Sequence, residues 1–184
     1  ADIRLRIYYK LPQQPAVFAN FATLQPNAKW MMEEGITGIT YTCGDGHEAA
    51  FNDLRNYLIS KIEWDVNCDV EYHMMDFLKA FYGKEAAKYI KEFIDLYTAK
   101  VTATTHAFDF EWHYQSCYFT LGEIKRIDEM WKNALACDLT ERQRFEVEKS
   151  ELSWRYYKAN LWIGEYSFFN LSGRAAENEK LYDD

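Results

Sequence analysis

The feature that most limits the fold of this 184-residue chain is a short β-strand held between two helices. Residues 30–58 read "WMMEEGITGITYTCGDGHEAAFNDLRNYL", which is the end of a helix, a glycine stop, a β-branched strand, a glycine-rich loop and a second helix. A strand in that setting is typical of a parallel sheet, and such a sheet needs several strands to be stable. The number of other strands in the chain therefore decides the fold class.

Only one other stretch predicts a strand. Residues 3–9 (IRLRIYY) alternate apolar and polar side chains, which indicates a strand with one buried face. Residues 36–42 (ITGITYT) are β-branched and mostly apolar, as in a buried parallel strand. Between these two strands we expect a short helix that begins near Pro26 and ends at Gly35. Two parallel strands do not make a stable sheet alone, so we expect the missing strands to precede residue 1.

From residue 47 onward the pattern is helical, because apolar residues recur at a spacing of three or four. Two capping boxes, Thr120 with Glu123 and Thr140 with Gln143, predict the starts of the last two helices. The expected buried stripes of about five helices are Phe51, Leu54, Leu58 and Ile62; Val70, Met74, Phe77 and Phe81; Ala86, Ile90, Phe93, Tyr97 and Val101; Ile124, Ile127 and Trp131; Phe145, Leu152, Tyr156 and Ile163.

Charge and cysteine spacing exclude several function classes. The net charge of -8, with scattered Lys and Arg, argues against a nucleic-acid partner and an anionic membrane surface. No apolar run is long enough for membrane insertion. The four cysteines stand outside CxxC and zinc-ligand spacings, so we expect free or buried thiols, no metal and no cofactor, although two disulfides stay open. The aromatic content of 17% is typical of a ring-rich core or a sugar-stacking surface, and composition favours the core.

Three stretches resemble a known family: "FANFATLQPNAKWMMEEGITGI", "FNDLRNYLISKIEWDVNCDVEYHMMDFLKAFYG" and "AAKYIKEFIDLY". They are similar to the C-terminal part of uncharacterised bacterial glycoside-hydrolase-like TIM-barrel proteins, a domain of unknown function distantly similar to α-glucuronidases. The resemblance covers residues 18 to about 100. The matching residues are Leu24, Pro26, Asn27, Glu34, Gly35, Gly38, Ile39, Leu54, Arg55, Tyr57, Leu58, Lys61, Trp64, Asp69, Val70, Phe77, Phe81, Tyr82 and Gly83.

The resemblance implies a mainly α fold, in which a short α/β segment like the end of a TIM barrel is followed by a helical bundle. Residues 1–46 would form the terminal α/β segment of the barrel, and residues 47–184 a helical C-terminal domain. The chain would be mainly structural, with a few residues at the rim of a carbohydrate site. The catalytic acid and base would lie upstream, so the isolated chain would be inactive. Members are mostly exported, which implies a periplasmic or extracellular location.

The loop after the second strand is one candidate carbohydrate site. Family members tend to carry a glutamate there, whereas this sequence has "TYTCGDG", which casts doubt on an inherited hydrolase role. Tyr41, Asp45 and His47 are the candidate sugar contacts, because barrel ligands bind at the carboxyl ends of strands. Asp45 between two glycines is also an ordinary turn residue. Backbone N–H groups of the "GDGH" run suit an anion, but no Lys or Arg stands beside it.

The second candidate is the aromatic segment "THAFDFEWHYQSCY" at residues 105–118. His106 and Trp112 could contact a sugar there, with Trp112 as a stacking platform. The competing interpretation is a packed aromatic loop with satisfied histidines. A metal pair of Asp109 and His113 would need helical geometry, which an aromatic connection does not predict.

A different class of function is also open. The chain could be a stand-alone helical interaction module whose aromatic surface binds a partner protein or its own copy. The exposed edges of strands 3–9 and 36–42 would then pair across a dimer. The partners expected from the sequence are therefore a carbohydrate, an upstream barrel domain or a second copy. Concentration-dependent mass in solution distinguishes self-association from the barrel interpretation.

Overall fold

The structure, a computed structural model, describes residues 2–8, 17, 20–42, 50–103 and 119–169, with side chains described as far as residue 159. Within these ranges the chain is mainly helical with one small parallel sheet, which confirms the predicted mainly α class. The elements in chain order are β1 (Ile3–Tyr8), α1 (Phe21–Glu33), β2 (Ile36–Thr42), α2 (Asn52–Trp64), α3 (Val70–Tyr82), α4 (Ala86–Ala103), α5 (Leu121–Ala136) and α6 (Glu141–Phe169).

The two strands form a βαβ unit, because β1 and β2 pair in parallel and α1 connects them. Leu5 pairs with Ile39, and Ile7 pairs with Tyr41. These four side chains share the half-buried face of the sheet, on the same side as α1. The exposed side chains of the opposite face include Arg4, Arg6 and Thr40. Among the described residues, the sheet is thus covered on one face only.

Helix α1 begins earlier than the sequence predicts. It starts at Phe21, five residues before Pro26, and the proline lies inside the helix. A proline there removes one backbone hydrogen bond. The extra turn instead buries Phe21, whose ring is only 6% exposed and lies 5.2 Å from the Arg55 guanidinium. The predicted end is confirmed, because Gly35 follows the helix with a φ of +72°.

Helices α2 to α6 enclose an aromatic core with Phe93 near its centre. The ring centroid of Phe93 lies 5.1 Å from that of Trp131, 5.8 Å from Tyr97, 5.9 Å from Trp154 and 6.0 Å from Phe51. All five side chains are buried. Tilted and edge-on ring pairs of this kind add about 0.5–1.5 kcal/mol each beyond the burial of their area. Part of the ring-rich composition is therefore used in the core.

The buried face of α3 differs from the predicted one. Met74, Leu78 and Tyr82 are buried, whereas Phe77 and Phe81, which the spacing placed in the core, are half-buried. Both sets keep helical spacing, so the apolar pattern alone does not separate them. Burial of the face with Leu78 and Tyr82 places the Tyr82 hydroxyl in the core.

The predicted stripe of α6 is wrong where its side chains are described. Phe145 is 60% exposed and Leu152 is 50% exposed, and Tyr156 is only partly buried. The helix instead turns a partly polar face inward, and its buried members are Val147, Ser150, Ser153, Trp154 and Tyr157. A buried hydroxyl needs a partner, and the Ser150 and Tyr82 hydroxyls meet at 2.9 Å. The Ile163 side chain lies outside the described residues.

Both predicted capping boxes are confirmed by their hydrogen bonds. The Glu123 N–H donates to the Thr120 hydroxyl at 3.3 Å, and the Thr120 N–H donates to the Glu123 carboxylate at 2.8 Å. The same two bonds join Thr140 and Gln143, at 3.3 Å and 3.0 Å. The Lys100 ammonium also lies 2.6 Å from the Glu123 carboxylate. Together with the Thr120 N–H it lowers the pKa of Glu123 to about 2.

Candidate functional site

A cavity of about 220 Å³ lies between the sheet, α1 and α2. Ile7 and Tyr41 line it, and they are a pair next to the last residues of their strands. The cavity therefore lies on the face of the sheet that α1 covers, close to the carboxyl ends of both strands. Ligands in α/β architectures usually bind around those ends. The other described lining residues are Asn20, Thr23, Leu24, Asn27, Ala28, Met31, Ile59 and Ile62.

The polar side chains of the cavity are neutral. Tyr41 comes from β2, whereas Thr23 and Asn27 come from the first half of α1 and Asn20 immediately precedes that helix. The Thr23 hydroxyl donates to the Asn20 carbonyl at 2.9 Å, which ties this corner together. None of the described lining residues carries a charge. Hydroxyl and amide groups on an apolar wall suit a small neutral ligand rich in hydroxyl groups.

Arg55 is completely buried and contacts Asn20, one of the residues that line the cavity. Its Nε–H donates to Asn20 Oδ1 at 2.8 Å, and its guanidinium lies over the Phe21 ring. The hydrogen bond fixes which way the Asn20 amide faces and joins α2 to the start of α1. The helical pattern does not reveal this role, because Arg55 interrupts the apolar stripe of α2 and a charged residue at such a position usually faces solvent.

Of the predicted sugar contacts, Tyr41 lines the cavity. The other four, Asp45, His47, His106 and Trp112, lie outside the described residues. The alternative metal pair in the aromatic segment lies outside them too. The residues that accompany Tyr41 were missed in the sequence, because isolated amide and hydroxyl side chains form no recognisable motif. Several of these residues belong to the first turns of α1, which the sequence did not predict to be helical.

The cysteine prediction is confirmed where it can be checked, since Cys68 and Cys137 are free thiols. Cys43 and Cys117 lie outside the described residues. Across the described ranges, no cluster of three or more His, Cys, Asp or Glu side chains is arranged to hold a metal ion. In the same part of the chain, every helix is too short or too polar to cross a membrane.

Comparison with known proteins gives one match. A family model described as a domain of unknown function (DUF4838) matches residues 3–95. The matched range runs from β1 into α4, so it includes both strands, the cavity and Arg55. No curated protein and no solved structure matches the chain.

Proposed function

This chain belongs to the DUF4838 family of domains of unknown function, and from that premise we propose that it is part of a carbohydrate-binding TIM barrel. Residues 1–46 form the terminal α/β segment, and residues 47–184 form a helical domain that supports it. In this proposal the whole protein is glycoside-hydrolase-like and exported to the periplasm or cell exterior. The chain contributes structural support and part of the sugar site.

The sheet supports the barrel proposal. A βαβ unit is the repeat from which TIM barrels are built. Each strand has only one strand neighbour among the described residues, so each has an outer edge at which a further strand could pair. One face of the sheet lies under α1, as the outer face of a barrel lies under its helices. The opposite face, with Arg4 and Arg6, corresponds to the interior of the barrel.

The observation that carries the carbohydrate proposal is the position of Tyr41, which lines the cavity under α1 and lies one residue before the carboxyl end of β2. An aromatic ring offers an apolar face to the C–H groups of a sugar, and its hydroxyl can bond to a sugar hydroxyl. The amides of Asn20 and Asn27 provide both donors and acceptors nearby. These groups together favour a neutral sugar over an anion.

The cavity binds in this proposal and does not hydrolyse. Glycoside hydrolysis normally needs two carboxyl groups about 5–9.5 Å apart. The described residues that line the cavity include no Asp or Glu. We therefore expect no turnover of aryl glycosides by this chain alone. Steady hydrolysis of such a substrate by the purified chain would contradict this part of the proposal.

Sugar binding is tested by titrating the purified chain with neutral monosaccharides and disaccharides, followed by calorimetry and NMR. Tyr41→Phe removes one hydroxyl and keeps the ring. A lost hydrogen bond of about 1–1.5 kcal/mol should weaken binding by roughly fivefold to tenfold. Tyr72→Phe is the matched control, because Tyr72 is 63% exposed on α3 and does not line the cavity.

Two results would reject the sugar site. One is the absence of saturable binding of any neutral sugar. The other is binding that Tyr41→Phe and Tyr72→Phe weaken equally, since the ligand would then lie elsewhere.

Self-association is a second candidate, and it is favoured by the two strand edges that lack a neighbouring strand in the described residues. Ile3 on β1 is 46% exposed, and edges of this kind pair readily with a second copy. Analytical ultracentrifugation over a hundredfold range of concentration would separate the two candidates. A dimer whose mass depends on concentration supports self-association, and a monomer at all concentrations excludes it.

A further inference from the structure

A second cavity, outside the proposed sugar site, lies between the end of α3 and the start of α6. Its volume is about 330 Å³, which is within the range of small-molecule sites. The lining residues are Phe77, Ala80, Phe81, Thr140, Arg142 and Gln143. We call it the α3–α6 cleft.

The floor of the cleft is a pair of aromatic rings. Phe77 and Phe81 stack with their centroids 4.9 Å apart and their planes at 22°. Both are only half-buried, because the core takes Leu78 and Tyr82 from the neighbouring face of α3. The small side chain of Ala80 is exposed beside them. Because the two rings stack on each other, they offer a ligand their edges and an outer ring face, an apolar surface against which a planar ring can pack.

The wall of the cleft offers donors. The Gln143 amide oxygen already accepts from the Thr140 N–H, and the Thr140 hydroxyl oxygen accepts from the Gln143 N–H. The groups that can still donate a hydrogen bond to a ligand are the Gln143 amide N–H₂, the Thr140 O–H and the Arg142 guanidinium. No carboxylate among the described residues forms an ion pair with Arg142, unlike Arg126 and Arg155. The wall is therefore complementary to an acceptor with negative charge.

The shape of the cleft depends on Gly83. This residue ends α3 with a φ of +92°. A Cβ atom there would lie 3.1 Å from the Leu139 side chain and 3.4 Å from Gln143 Oε1. The absence of a side chain lets the start of α6 approach the end of α3, and this approach places the donors beside the aromatic floor.

We propose that the α3–α6 cleft binds a small ligand in which a planar apolar ring carries an oxyanion. The ring packs against the stacked pair of Phe77 and Phe81, and the oxyanion accepts hydrogen bonds from Arg142 and Gln143. A guanidinium group presents two parallel N–H donors to a carboxylate or a phosphate. The proposal is independent of the sugar site, because the two cavities share no lining residue.

The test is a titration of the folded chain with phenylacetate, phenyl phosphate and the neutral analogue phenylacetamide, followed by NMR. Arg142→Gln removes the cation, and Arg144→Gln is its matched control on an exposed position of α6 outside the cleft. Arg142 is exposed, and solvent screens its charge, so Arg142→Gln should weaken anion binding by up to about fivefold. Arg144→Gln should leave it unchanged, and phenylacetamide should bind weakly to all three proteins.

The relative affinities of the two anions identify the oxyanion as carboxylate or phosphate. The proposal is overturned if neither anion binds saturably, if phenylacetamide binds as tightly as phenylacetate, or if the two arginine variants weaken binding equally. Circular dichroism of each variant checks that it is folded. Chemical shift changes at Ala80 and Gln143 would place the ligand in the cleft, and their absence while other residues shift would place it elsewhere.

Discussion

The helical part of the molecule and its βαβ unit differ in how completely they bury their own side chains. The aromatic core of α2–α6 contains side chains with no exposed surface, such as Phe93 and Trp154. In contrast, none of the described side chains of β1 and β2 is fully buried. The helices enclose their own core, whereas in the described part of the chain the sheet has one covered face and two edges without a neighbouring strand. Stability should therefore reside mainly in the helical part.

Phe51 lies immediately before α2, where the helical part begins. It has a φ of +56°, which is unusual for a residue with a side chain, and its ring is only 4% exposed. The ring lies 6.0 Å from Phe93 and 6.4 Å from Trp131, measured between centroids. Packing in the helical core holds this backbone conformation, which otherwise costs about 1–3 kcal/mol. Phe51 thus belongs structurally to the helices.

The largest effect should come from Trp154→Ala. The change removes contacts with Phe93 and Phe119 and a 2.6 Å hydrogen bond to Asp128. Truncation of a buried Trp typically lowers the free energy of unfolding by about 3–5 kcal/mol. Urea denaturation followed by circular dichroism measures it. Leu152→Ala, on the exposed face of the same helix, should change stability by about 0.5 kcal/mol or less. Similar losses in the two variants would refute the buried face assigned to α6.

The same substitution in the two regions makes the comparison direct. Ile90→Ala in α4 affects a side chain that is 1% exposed, and it should cost about 2–5 kcal/mol. Ile39→Ala in β2 affects a half-buried side chain and should cost only about 1 kcal/mol. Urea denaturation tests both variants, because a shift of the midpoint at an unchanged m-value reports a change in stability. If Ile39→Ala costs as much as Ile90→Ala, the sheet is covered in solution by further contacts.

Glycine substitution should have an intermediate effect. Gly83→Ala forces a side chain into a left-handed conformation and against Leu139, which should cost about 1–3 kcal/mol. Gly122→Ala is the control, because it is helical and has open space around its Cβ position. It should be neutral or stabilising by up to about 1 kcal/mol. Thermal unfolding compares them, and a neutral Gly83→Ala would show that the corner between α3 and α6 can relax.

The smallest effect on stability should come from Glu123 and should appear only at acidic pH. The pKa of Glu123 falls from about 4.5 to about 2 on folding, because Lys100 and the Thr120 N–H bond to its carboxylate. The ionised form thus stabilises the fold fully above pH 4.5, and this contribution is lost as the pH falls toward 2. Glu123→Gln should flatten the pH dependence of stability in that window. Parallel curves for the variant and the original chain would contradict the prediction.

Local chemistry made much of the fold predictable. The two capping boxes and the stop at Gly35 each depend on residues a few positions apart, and all three are confirmed. The face of α6 was not predictable in this way. Apolarity pointed to Phe145 and Leu152, but the core takes the face with Val147, Trp154 and Tyr157. Ser150 is tolerated on that face because its hydroxyl bonds to the buried Tyr82 hydroxyl. That partner lies in another helix, far away in the sequence.

The candidate site was predictable only in part for the same reason. Tyr41 follows from its place near the end of a strand. Asn20 and Arg55 belong to the site through a hydrogen bond between residues 35 positions apart, which no local pattern encodes. The sequence did not predict that α1 continues through Pro26, because proline is unfavourable inside a helix whatever surrounds it. The burial of Phe21 compensates for that cost, and it depends on a contact with Arg55 of α2.

The hydrogen bond between Tyr82 and Ser150 closes a chain loop of 68 residues. The entropy of closing such a loop grows only slowly with its length, but the contact cannot form early by local search. We therefore expect α3 and α4 to associate first and α6 to dock late on the folding pathway. Once formed, the contact completes a ring in which α3, α4, α5 and α6 each pack against the next helix, so these helices should unfold as one cooperative unit.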